Sequence, residues 1–126
     1  MCLLLEYLEP KIADKDIVCY KFVERTKVKG IYKSIFVEFE YIIRQLYTNN
    51  IKIEFSYKLI KPESIFGYFI EEGMFHSYAN YLSTITVLPN CVTLKCIIPK
   101  GAYYFEGYFG NYPSYASSQI KILEEI

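Results

Sequence analysis

Tryptophan is absent from this chain of 126 residues, and histidine occurs once, as His76. One histidine cannot build a His-rich metal centre, and as a base it would need a nucleophile or carboxylate partner. An excess of either charge is lacking too. The 14 basic and 14 acidic residues cancel, so no global field draws the chain onto nucleic acid or an anionic membrane, and it is no acidic mimic of a nucleic acid. No apolar run approaches the ~18 residues of a membrane span. The apolar start MCLLLEYLEP has no basic n-region and is interrupted by Glu6, so a signal peptide is not expected.

Chemical motifs are missing in the same way. There is no Walker loop, dinucleotide fingerprint, nucleophile elbow or paired-carboxylate motif, and Glu71-Glu72 and Glu124-Glu125 read as solvated pairs. The four cysteines are Cys2, Cys19, Cys91 and Cys96. Cys91 and Cys96 match no zinc spacing and fall on opposite faces of a strand. A chain that is 52% hydrophobic can bury a core without disulfides, so reduced thiols in a cytoplasmic protein are expected. Neither a metal nor a cofactor is implied.

What the chain does have is phenolic and phenyl rings: 14 Tyr and 9 Phe. Tyrosine is half apolar and half polar, so such a surplus serves a core, a binding surface, or both. After a leader over 1–16, DIVCYKFVE (16–24) predicts a central strand. Ile17, Cys19, Lys21 and Val23 fall on one face, and β-branched or aromatic residues dominate both. RTKVKG (25–30) is a basic turn ending in glycine. Residues 31–50 alternate like a strand and then suggest a helical turn or loop, ended by Asn49-Asn50. IKIEFSYKLI (51–60) alternates cleanly. A loop-like region follows, from Pro62 to Glu71-Glu72-Gly73. Ser77 reads as a helix N-cap, with Tyr78, Leu82 and Ile85 at helical spacing over 77–86. Strands are expected over 92–99, about 102–108, and in the final SQIKILEEI. The expectation is a single α+β domain over 1–126, mostly antiparallel β with about six strands and one or two short helices.

Two stretches stand out as contact surfaces. GAYYFEGYFGNYPSY (101–115) gathers Tyr103, Tyr104, Tyr108, Phe109, Tyr112 and Tyr115 among Gly and Pro. A strand buries half its side chains on one face, and the Gly/Pro content predicts a loop after Tyr108. Some of these rings should therefore be exposed for a partner. The second is the basic turn with Arg25, Lys27 and Lys29, which could touch phosphate or simply be solvated. His76, between Phe75 and Ser77, is expected to hold a turn rather than to do chemistry.

KIADKDIVCYK (11–21), GMFHSYAN (73–80), CIIPKGAYYFEGYFGNYPSYAS (96–117) and QIKI (119–122) together resemble small proteins of Bacteroidetes genomes and their prophages. In that family the form is GFHSY, and Met74 interrupts it here. The mobile-element context implies a non-enzymatic inhibitor of a host defence protein, such as an anti-CRISPR protein bound to an RNA-guided nuclease. The implied partner is a larger host protein or ribonucleoprotein, with RNA contact secondary. The element order is also similar to an ADP-ribosyltransferase-type fold. That likeness implies a nucleotide cleft lined by Tyr20, Lys21, His76 and Tyr78. Gln119 stands near where its catalytic Glu would be expected, which implies a non-catalytic descendant. A phage structural or accessory protein is the third reading.

Overall fold

The computed structural model describes residues 3–5, 10–35, 39–48, 60–63, 67–70, 75–81 and 89–126. Its strands in chain order are β1 (Leu3–Leu5), β2 (Lys11–Ile12), β3 (Ile17–Arg25), β4 (Ile31–Ser34), β5 (Glu40–Ile42), β6 (Leu46–Thr48) and β7 (Ile60–Glu63). They continue as β8 (Gly67–Ile70), β9 (Phe75–Tyr78), β10 (Cys91–Ile98), β11 (Tyr103–Phe109), β12 (Tyr112–Ser117) and β13 (Gln119–Glu125). Neighbours pair antiparallel throughout. No α-helix occurs among the described residues, so the α+β expectation is corrected to a nearly all-antiparallel β fold. No helix among them is long and apolar enough to cross a membrane.

β3 is the hub. One edge pairs β10 along its whole length, from Ile17↔Ile98 to Glu24↔Cys91. The other edge divides: Tyr20 meets Tyr78 of β9, and Val23 to Arg25 pair β4. From β9 the sheet runs on through β12, β11, β1 and β8 to β7. The leader becomes sheet: β1 and β2 both line the second edge of β11, on either side of Pro10.

From β4 the path turns back on itself. β4 pairs β5, a turn at Ile43-Arg44 leads to β6, β6 pairs β13, and β13 pairs β10. Since β10 is already paired to β3, the six strands form a closed circuit whose only unpaired step is β5 to β6. That seam is held by side chains. The Ile42 amide donates to the Tyr47 hydroxyl at 2.7 Å, and the Tyr41 and Tyr47 rings pack edge to face at 5.3 Å. Inside lie Cys19, Val23, Tyr32, Tyr41, Leu94, Cys96, Ile98, Ile120 and Ile122, all buried. Closure hides the strand edges that an open sheet would leave.

The alternation in β3 is as expected, with Cys19, Lys21 and Val23 buried on one side. The other side is covered less than expected: Tyr20 and Phe22 are half-buried and Val18 is exposed. The described residues between 31 and 48 hold three short strands rather than a strand and a helical turn.

The helix expected from Ser77 is the second correction. Phe75–Tyr78 is strand, and Ser77 is a fully buried mid-strand residue. Its backbone is committed to the ladder Tyr115↔Ser77 and Ala116↔His76, and pairing on both sides overrides a local capping pattern. The remaining positions 82–86 of that expected helix, the strand expected over 51–59 and Cys2 lie outside the described residues.

Candidate functional site

The predicted loop after Tyr108 is a β-hairpin. β11 and β12 pair from Tyr104↔Ser117 to Phe109↔Tyr112, leaving Gly110-Asn111 as a two-residue turn. Gly110 has φ of 61°, and positive φ at the first central position alone is the type II′ pattern, which asks for glycine there. Pro113 sits next to the start of β12, where a missing N–H is tolerated, and its carbonyl accepts from the Ala79 amide at 3.0 Å.

Register sorts the rings of this hairpin onto two faces. Directly paired residues share a face and successive ones alternate. Tyr104, Glu106, Tyr108 and Tyr115 therefore point to the side of the core, together with Phe75 and Ser77 of β9. Tyr104 and Tyr115 stack edge to face at 5.9 Å and pack against the core. These two predicted contact residues are half-buried. Tyr103, Phe105, Phe109 and Tyr112 point the other way, with His76 and Tyr78.

That outer face holds a connected set of rings. His76 meets Tyr78 at 4.8 Å and Phe109 at 5.5 Å, and Tyr78 meets Phe109 at 6.3 Å and Tyr112 at 6.1 Å, all near perpendicular. Such edge-to-face contacts fix ring orientation beyond simple burial. Exposure rises along the set: Tyr78 is buried, Phe109 half-buried and Tyr112 49% exposed. Tyr108, on the opposite face near the same turn, is 38% exposed. The tip from Gly107 to Pro113 carries no charged residue. It is an uncharged hairpin end with an open tyrosine on each side, seated on a buried aromatic base.

His76 belongs to that base. Burial, with a smaller contribution from the Lys21 ammonium, pushes its imidazole down to about 3, so it is neutral at ordinary pH. Its Nε2 is buried with no hydrogen-bond partner. The ring packs as a flat aromatic within β9, whereas a turn was expected there. A carboxylate or hydroxyl placed to make it a catalytic base is not found at that nitrogen.

The basic turn lies elsewhere. Thr26 organises it: its single O–H donates to the Ile31 carbonyl at 2.8 Å, with the Val28 carbonyl at 3.1 Å as the alternative acceptor, and its oxygen accepts from the Val28 amide. Gly30 supplies the positive φ of 84°. Lys27 and Lys29 are exposed. Arg25 makes a two-pronged pair with Glu125, at 3.0 and 2.8 Å, which holds the Glu125 carboxyl below the usual carboxylate range. Lys33 stands opposite both Glu24 and Glu40. The turn's positive charge is thus interleaved with carboxylates, and little net field remains for a phosphate backbone.

The two predicted surfaces do not meet. The ladders align Tyr20 with Tyr78 and Tyr78 with Ser114. From that line the hairpin tip extends one way and β3 runs the other way to Arg25, roughly 17 Å further on at ~3.4 Å per residue. Nor do Tyr20, Lys21, His76 and Tyr78 line one cleft. Tyr20, His76 and Tyr78 are on the outer face, whereas Lys21 points into the core and its ammonium donates to the His76 carbonyl.

Among the described residues no group of three or more His, Cys, Asp or Glu side chains could hold a metal ion. Cys19 and Cys96 face each other as free thiols inside the circuit. Burial raises both, Cys19 to about 11 despite a partial offset from the nearby Ser77 hydroxyl and Lys21, so neither is a ready nucleophile. Sequence reasoning placed Tyr78 on a helix and did not find it as part of the aromatic base beneath the tip. The signal was present as alternation in FHSY, which places His76 and Tyr78 on one face of a strand but not of a helix. Comparison with known proteins finds no family profile matching the chain and no curated protein or solved structure similar to it.

Proposed function

We propose that the chain is a non-enzymatic binding protein that works by inserting the β11–β12 tip into an apolar cleft of a larger protein. The observation that carries this reading is the tip itself: uncharged, with Tyr112 and Tyr108 exposed on opposite faces. Tyrosines held by packed neighbours lose little side-chain entropy on binding, which is why such rings dominate protein interfaces. Rings on both sides suit a cleft with two walls better than a flat surface. The contact set is therefore Tyr108, Phe109 and Tyr112, with Tyr103, Tyr104 and Tyr115 in support.

The resemblance to prophage-type proteins supports a host defence protein as that partner, in the cytoplasm of a bacterial cell, with an RNA-guided nuclease as the first case to test. The test is affinity purification of the tagged chain from a lysate carrying CRISPR systems, with and without ribonuclease. A stoichiometric nuclease that survives ribonuclease and is lost with Tyr108→Ser and Tyr112→Ser supports the reading. Loss of the nuclease on ribonuclease treatment, or with Lys27→Ala and Lys29→Ala instead, would move the contact to the basic turn and guide RNA.

A further inference from the structure

Lys21 is an ammonium enclosed in an otherwise apolar core. Its residue is only 8% exposed, on the inward face of β3 between Cys19 and Val23, which are fully buried. One N–H donates to the His76 carbonyl at 2.5 Å, and the nitrogen stands 4.8 Å from the centroid of the Tyr41 ring. A carbonyl dipole and a ring face moderate a buried charge but do not neutralise it. No carboxylate meets it among the described residues, where the ion pairs engage Lys11 and Arg25 instead.

A second observation falls at the same place. Counting antiparallel from Tyr20↔Tyr78 sets Ser77 opposite Lys21, and Ser77 shares the inward face with Tyr115. Ser77 is fully buried, and the Cys19 thiol beside it, a weak partner, is all that its hydroxyl meets among the described residues. A buried hydroxyl left unpaired costs free energy, so native interiors satisfy such groups with protein, water or an ion. The orphan Nε2 of His76 faces the outer side and does not contribute.

We infer that the Lys21 ammonium and the Ser77 hydroxyl form an internal site for a small monovalent anion of halide size, enclosed between β3 and β9. The chemistry selects that class. The spare N–H groups of Lys21 and the O–H of Ser77 are donors, which is what an anion needs and what a cation cannot use. A single positive charge balances one negative charge, whereas sulfate would bury a second charge uncompensated. Burial of both groups favours a small sphere over an extended organic acid. The bound ion would tie β9 to β3 where the two strands share a single ladder pair, and so brace the base on which the aromatic tip stands.

The test is thermal unfolding of the intact chain with chloride or bromide exchanged for gluconate at constant ionic strength. An ion bound only by the folded state raises Tm steadily with its concentration above the dissociation constant. The expected result is such a rise for wild type, a shift to higher halide for Ser77→Ala, and its loss for Lys21→Met. A Tm independent of halide, or a slope unchanged in Lys21→Met, would overturn the site. Should Lys21→Met fail to fold, bromide-soaked wild-type crystals decide it by anomalous scattering. A bromide peak between Lys21 Nζ and Ser77 Oγ supports the inference, and an ordered water in its place removes it.

Discussion

The two faces of the β9–β12–β11 region are built from the same kinds of residue and come to opposite ends. On the inner face Tyr104 and Tyr115 stack on each other and join the aliphatic core. On the outer face His76, Tyr78, Phe109 and Tyr112 stack as closely, yet the set ends at the exposed Tyr112. The difference is one of topology, not composition. The inner rings Tyr104 and Tyr115 pack against the core enclosed by β3, β4, β5, β6, β13 and β10, while Tyr108 on the same face stays open near the turn. The outer set runs along a hairpin and ends beside its turn. An aromatic surplus therefore serves both core and surface here, and distance from the turn decides which ring does which: Phe105 on the outer face is fully buried, whereas Tyr108 on the inner face is open.

The sharpest way to break that contrast is in the circuit. Leu94 is fully buried, and Leu94→Ala should cost about 2–5 kcal/mol in denaturant unfolding through lost burial and the cavity left behind. Tyr115→Ala should also destabilise measurably, although the side chain lies in the hairpin.

His76 gives the next effect, and it depends on pH. Its folded-state value of about 3 lies below the ordinary histidine value, so the unfolded chain binds the extra proton first. Stability from keeping the ring neutral is complete above about pH 6.5 and is lost progressively as the pH falls towards the folded value, at ~1.4 kcal/mol per pH unit. Urea unfolding between neutral pH and about pH 4 should show this slope in wild type and a flatter one in His76→Phe. His76→Ala should lower stability at every pH, because the stack with Tyr78 and Phe109 loses a ring.

A smaller change in stability is expected at the tip, with the larger effect on binding. Tyr108→Ser and Tyr112→Ser together should weaken partner binding at least ~10-fold with little change in Tm. Smallest of all is Arg25→Ala. The Arg25–Glu125 pair is solvent-exposed and screened by salt, so thermal unfolding should scarcely move.

Much of the sheet was legible in the sequence. Strands were legible at β3, β10, β11 and β13, and alternation placed Cys19, Lys21 and Val23 on one face of β3, though not which face is the more buried. The tyrosine cluster at 103–115 was visible as an anomaly. Three things were not legible, each for a long-range reason. Ser77 carries a helix-cap pattern, but β12 and β3 claim its strand from both sides. Gly110-Asn111 looks like loop composition, whereas the pairing Phe109↔Tyr112 makes it a hairpin turn. The basic run from Arg25 to Lys33 reads as a patch, but Glu125 lies 100 residues from Arg25 and answers it only after folding. Which rings are open is likewise set by distance from that turn, which cross-strand pairing defines and no local window contains.

The most direct measurement is the affinity of a captured partner for wild type and for the Tyr108→Ser/Tyr112→Ser chain, with unfolding curves recorded for both. A tip that binds predicts at least ~10-fold weaker association with closely matching unfolding curves. Unchanged affinity in a folded double variant would contradict it and leave the outer rings as packing alone.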